Sequence, residues 1–155
     1  MRPTNSRFLL VAFAAFAACA RMPTPVGPRE PMLVNASFGK TWDAAIDAFA
    51  DRGISIETLD RSSGLIVPAG RARIADAVQG GYKYADCGTS WLGSAQLPLS
   101  VKYNVLIRGD SARSRVQVRA FYLTDKGQQC SSTGYWEDYV ENGIKERAEG
   151  TRDKQ

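Results

Sequence analysis

The chain of 155 residues predicts an α+β domain: one antiparallel sheet with an N-terminal and a C-terminal helix packed on one face. Three observations carry this. Apolar residues recur at helical spacing near residues 41–52 and again near residues 134–148. Between them, two runs of period-2 alternation flank a short Gly-Asp turn, the pattern of an antiparallel hairpin with one buried face. A second, shorter hairpin follows the first helix, so the order is helix, hairpin, irregular segment, hairpin, helix. A small barrel-like sheet plugged by the last helix is the alternative arrangement.

The elements read as follows. A short apolar segment from Met32 to Phe38 precedes the first helix, expected over Thr41–Arg52. Trp42, Ala45, Ile46 and Phe49 form its apolar stripe, with Thr41 as N-cap and Gly53 as the stop. Asp43, Asp47 and Asp51 recur every four residues, a spacing that suits a solvated face better than a cation site, since no glycine-rich ligand loop accompanies them. Ile54–Leu59 and Leu65–Val67 read as strands around the turn Asp60-Arg61-Ser62-Ser63-Gly64. A short helix is expected over Arg71–Val78, a strand over Tyr82–Asp86, and a loop over Cys87–Ser94. The main hairpin comes next: Leu99, Val101, Tyr103, Val105 and Ile107 alternate with polar positions, and so do Val116, Val118, Ala120 and Tyr122 after the turn. Cys130 leads through Ser131-Ser132-Thr133 into the last helix, Gly134–Ala148, on which Trp136, Val140 and Ile144 lie four apart. Glu137 and Asp138 near its start and Lys145 and Arg147 near its end suit the helix dipole.

The N-terminus states an address. Arg2 and Arg7 precede an apolar run from Phe8 to Ala18 that closes on small residues before Cys19, the layout of a bacterial secretory signal. The run is about half the roughly 20 residues a membrane span needs. Phe16-Ala17-Ala18-Cys19 resembles a lipobox, which implies diacylglycerol on Cys19 and cleavage before it; an ordinary signal peptide with unmodified Cys19 is the alternative. Ala20 stands where an inner-membrane retention signal carries Asp, so the resemblance to enterobacterial sorting implies the outer membrane, with the domain in the periplasm. Residues 1–18 are thus the signal, 19–32 a lipidated N-terminus with a proline-rich tether, 33–150 one domain and 151–155 a tail that frays. Fully extended, the tether would hold the domain off the membrane by roughly 40 Å at most.

Composition narrows the chemistry. The formal charge is +4, and two of the basic residues lie in the signal. So mild a balance in an exported chain does not point to nucleic acid. The chain has no histidine, which removes Ser–His and Cys–His nucleophile pairs and the usual zinc sites. No metal and no cofactor is assigned. With Cys19 given to lipid, Cys87 and Cys130 remain as a pair in an oxidising compartment and are expected to form a disulfide, with two free thiols or a catalytic thiol as the alternatives. Closing a loop of roughly 40 residues contributes about 4 kcal/mol at most.

Trp42, Ala45, Ile46, Gly53, Ile54, Ile56, Asp60, Ser63, Gly64, Leu65 and Ile66 together resemble a module of small bacterial lipoproteins, similar to the helix-grip domains of BamC-type β-barrel assembly lipoproteins. The resemblance implies a helix-grip-like fold, with Trp42 as core anchor, Asp60 as turn former and Gly64 as a left-handed turn residue. It implies no functional residue.

Motifs that spell chemistry have plainer readings. Gly39-Lys40-Thr41 ends like a phosphate-binding loop, but the loop's first glycine would fall on Val34, so a helix start fits better. Arg108-Gly109-Asp110 and Gly109-Asp110-Ser111 lie in a hairpin turn, where these residue types are expected. Arg108, Arg113, Arg115 and Arg119 cluster about the main hairpin and could meet anionic headgroups or lipopolysaccharide, although a solvated strand face is the preferred reading. Tyr82, Tyr84 and Trp91, beside Cys87, together with Arg115 and Arg119, make the candidate binding surface, although packing over the sheet edge is the plainer explanation of the aromatics.

The function these features suggest is a non-enzymatic accessory or scaffold of the cell envelope, held at the membrane by its lipid and contacting an envelope protein. A module holding a small apolar or lipid-like ligand between sheet and last helix is the second reading. A hydrolase using carboxylates such as Asp86, Glu137 or Asp138 is the third.

Overall fold

The computed structural model describes residues 20–73, 83–90 and 94–151. Cys19, Tyr82 and Trp91, with the expectations attached to them, lie outside the described residues. The elements are β1 (Met32–Val34), α1 (Phe38–Ala50), β2 (Ile56–Asp60), β3 (Leu65–Pro68), β4 (Ala72–Arg73), β5 (Ala85–Asp86), β6 (Ser100–Gly109), β7 (Ser114–Leu123), β8 (Gln129–Ser132) and α2 (Tyr135–Glu149). All described pairings are antiparallel, in the order β2-β3-β6-β7-β8-β5, with β1 on β7 and β4 on β6. The α+β fold expected from the sequence is the fold observed.

β6 and β7 form the spine, paired from Ser100 opposite Leu123 to Gly109 opposite Ser114. Their period-2 pattern turns Val101, Tyr103, Val105 and Ile107 of one strand and Val116, Val118 and Tyr122 of the other to one buried face. Both helices cover that face. Trp42, Ala45 and Phe49 of α1 and Val140, Ile144 and Ala148 of α2 share one core cluster with Ile66 and the spine residues. Trp42 is 2% exposed, the anchor its position implied. A second cluster joins Ala85, Val101 and Tyr122 to Cys87 and Cys130, which form a disulfide. Both clusters draw only on residues between Val34 and Ala148.

Several boundaries differ from the sequence reading. α1 starts at Phe38, because Ser37 rather than Thr41 is the N-cap: the Ser37 hydroxyl accepts the Lys40 amide at 3.3 Å. Thr41 instead faces the sheet, where its hydroxyl is 2.7 Å from that of buried Ser114. Of the helix expected over Arg71–Val78, residues 72–73 are strand, since they pair with Ser100 and Val101, and residues 74–78 lie outside the described residues. Residues 129–132, expected as a lead-in to the last helix, are β8; they pair with the end of β7 and with β5. The turn before β3 is as expected: Gly64 has φ +65°, and a Cβ there would strike the carbonyl of Ile107.

Candidate functional site

The segment expected to be a free spacer lies along the domain. Arg21 and Thr89 exchange hydrogen bonds: the Arg21 amide donates to the Thr89 hydroxyl and the Thr89 amide to the Arg21 carbonyl, each at 2.9 Å. Asp86, at the end of β5, accepts from the Arg21 guanidinium at 3.0 Å and the Thr24 amide at 3.1 Å, and from Gly88 at 2.8 Å. The two amides, with smaller help from Arg21, hold its carboxyl below the usual carboxylate range. Gly88, at φ +72°, lets the strap lie this close, because a Cβ there would collide with the Arg21 carbonyl.

Further along, Arg29 reaches α2. Its guanidinium donates to the Gly134 carbonyl at 3.2 Å, to Asp138 at 2.5 Å and to Glu141 at 3.2 Å, and the Arg29 carbonyl accepts from the Gln117 side chain. Glu141 is 1% exposed. Its second oxygen accepts the amide of Val118 at 2.7 Å. That amide lies where the outer edge of β7 has passed beyond β1, which pairs up to Val116, and has not yet met β8, which pairs from Tyr122. A side chain thus stands in for the missing strand. Burial outweighs the amide and the guanidinium and pushes the Glu141 carboxyl above its ordinary range.

Beside this gap a hollow of about 370 Å³ lies among Val26, Arg29, Arg119, Phe121, Ser132 and Glu137. Glu137 is buried; one oxygen accepts the Ser132 hydroxyl at 2.6 Å and the other has no partner among the described residues. Asp138 lines a different hollow, with Arg52 and Tyr139, and Asp86 belongs to the strap contact. Of the three carboxyl groups named for a hydrolase, Asp86 thus stands apart, while Asp138 bonds Arg29, which lines the hollow of Glu137.

Of the candidate binding surface, Tyr84 is half-buried. It meets Tyr135 and Trp136 edge-on, with ring centroids 5.6 and 6.3 Å away, so it packs at the start of α2. Arg115 and Arg119 project from the opposite, open face of the sheet and are exposed. The structure does not join them to Tyr84 in one patch. The aspartates of α1 and its C-cap are not merely solvated: Asp43 is 3.6 Å from Arg61, while Asp47 and the C-cap Asp51 both meet Arg147 of α2, tying the two helices together. No group of metal-ligating side chains occurs among the described residues.

Sequence reasoning overlooked Arg29 and Glu141. A buried glutamate on an amphipathic helix has the sequence appearance of a surface one; the only cue was its position one residue after Val140 on the apolar side. No protein-family model matches this chain, and no curated protein matches it at a significant level. Among the described residues, no helix is long and apolar enough to cross a membrane.

Proposed function

We propose that this protein is a lipid-anchored envelope lipoprotein, attached through Cys19 to the outer membrane, whose domain serves in the periplasm as a non-enzymatic accessory or scaffold. The observation that carries the reading is the Cys87–Cys130 disulfide. It suits an oxidising compartment, and it leaves Cys19, directly after the apolar run, as the one cysteine without a partner in the chain. The docked strap modifies the expected geometry. With Arg21 tied to Thr89 and Asp86, only Cys19 and Ala20 separate lipid from domain, a span of roughly 7 Å rather than 40 Å. The domain then rides at the membrane surface. The scaffold reading is preferred to a ligand carrier because Tyr103, Val105, Val118, Val140 and Ile144 fill the space between sheet and α2.

Two measurements test it. Intact mass of the N-terminal peptide should show a chain that starts at a diacylglyceryl-modified Cys19 and fractionates with outer membranes; Cys19→Ser should abolish both. An unmodified, soluble chain would refute the anchor. Affinity capture from crosslinked envelopes, comparing wild type with Cys19→Ala, should recover an envelope protein only from the wild type. Recovery of none above background would refute the scaffold.

A further inference from the structure

We infer that the open face of the sheet is a docking surface for an anionic phospholipid bilayer, centred on Arg108, Arg115 and Arg119. On β6 and β7 the residues turned away from the helices are opposed in the order Arg108–Arg115, Leu106–Gln117, Asn104–Arg119 and Lys102–Phe121. Arg108 and Arg115 are therefore direct cross-strand neighbours. Side chains so placed have Cβ atoms about 5 Å apart, and like charges there destabilise the sheet. Neither guanidinium, nor that of Arg119, has a hydrogen bond or ion pair among the described residues. This contrasts with the helix side, where Arg29, Arg61 and Arg147 each have an acidic partner.

Three acids near this face have partners of their own. Glu57 is 3.7 Å from Lys102. Asp110 turns one carboxyl oxygen to the amides of Ala112 and Arg113 in the hairpin turn, at 2.7 and 2.9 Å, and makes no ion pair among the described residues. Asp60, at the far edge, is held by Ser62 and Ser63. Beside the like-charged pair, Leu33, Arg108, Asp110, Arg113 and Arg115 surround a hollow of about 440 Å³, large enough to admit a phosphodiester. Leu33 and Phe121, 47% and 46% exposed, flank the cations with apolar surface.

Unpaired guanidinium groups beside exposed apolar side chains match a surface that offers phosphate oxygens above hydrocarbon. Arginine binds phosphate bidentately, and each cation near an anionic membrane strengthens attachment. An anionic ligand would also relieve the Arg108–Arg115 repulsion. The inference deepens the membrane reading but does not depend on Cys19. It is tested on a chain without lipid, so its failure and that of the anchor are distinguishable.

Residues 20–155, which contain both core clusters and the disulfide, are sedimented with vesicles of phosphatidylcholine alone or of phosphatidylcholine with phosphatidylglycerol. Binding is expected only to the second kind, and it should be lost at about 1 M salt, where screening acts within about 3 Å. The Arg108→Gln/Arg115→Gln/Arg119→Gln variant should bind on the order of 100-fold more weakly. The corresponding triple Arg→Lys variant should stay within several-fold of wild type. Thermal unfolding of the Gln variant should match or exceed that of wild type, since a repulsion is removed. Equal binding to both vesicles, or undiminished binding by a folded Gln variant, would overturn the inference. So would arginine-dependent capture of polyglutamate in preference to phosphatidylglycerol vesicles, which would assign the face to an acidic protein instead.

Discussion

Glu141 joins the backbone of Val118, 2.7 Å from one carboxyl oxygen, to the guanidinium of Arg29, 3.2 Å from the other. Strap, sheet edge and α2 thus meet at one buried group. Removing it should break both of these contacts, while Asp138 still holds Arg29 to α2. Glu141→Ala is expected to cost about 2–4 kcal/mol in urea unfolding, because the Val118 amide loses its partner while Arg29, still bound by Asp138, is only part-buried. Glu141→Gln keeps an acceptor for the amide and should cost about 1 kcal/mol.

The same group sets a pH dependence of unusual sign for an acid. Its folded carboxyl lies above the ordinary 4.5, so the protonated form is favoured by folding. Its contribution is complete below 4.5 and erodes as pH rises through the folded value. Glu141→Gln should flatten that part of a stability-against-pH curve. A curve identical to wild type would show that this carboxyl is not perturbed.

Asp60 acts in the opposite direction. The Ser62 hydroxyl, the largest influence, and then Ser63 lower its carboxyl to about 2. Its stabilisation is present above the ordinary 3.8 and is lost as pH falls towards about 2. Titration by side-chain NMR should place the Asp60 midpoint near 2, and Ser62→Ala should raise it.

The strap should be separable from the fold. In Gly88→Ala the new Cβ would strike the Arg21 carbonyl and strain a left-handed backbone position. Trypsin should then cleave after Arg21 several-fold faster, while denaturant unfolding of the domain shifts by about 1–2 kcal/mol. Cleavage at the wild-type rate would mean that the strap is not held there.

Loss of the disulfide should be felt across the second core cluster. Cys87→Ser opens a loop with a sequence separation of 43 residues and should cost about 2–4 kcal/mol, seen as a lower Tm under oxidising conditions. Reductant should lower the wild-type Tm similarly and leave the variant unchanged.

The sequence was most legible where structure repeats. Ten-residue strands with a largely alternating pattern, and helices with apolar residues four apart, announce themselves within one window. So did the Asp60–Gly64 turn and the Cys87–Cys130 pair. β5 and β8 did not, since strands of two and four residues carry no usable period and exist because each pairs with the other and β8 with β7. Of the proposed binding residues, Arg115 and Arg119 share a face only through strand parity, whereas Tyr84 was drawn into packing by Tyr135 and Trp136, some fifty residues further on.

What the sequence determined by itself was therefore local: the periods that make helices and strands, the turn chemistry and the even pair of cysteines. Tertiary structure alone decided the rest. A proline-rich strap without apolar period became part of the domain through hydrogen bonds to partners 62 to 112 residues away, at Asp86 and Glu141. Arg108 and Arg115 became neighbours only when β6 and β7 closed their hairpin in register. Burial and cross-strand register are properties of the assembled chain, and no window along the sequence contains them.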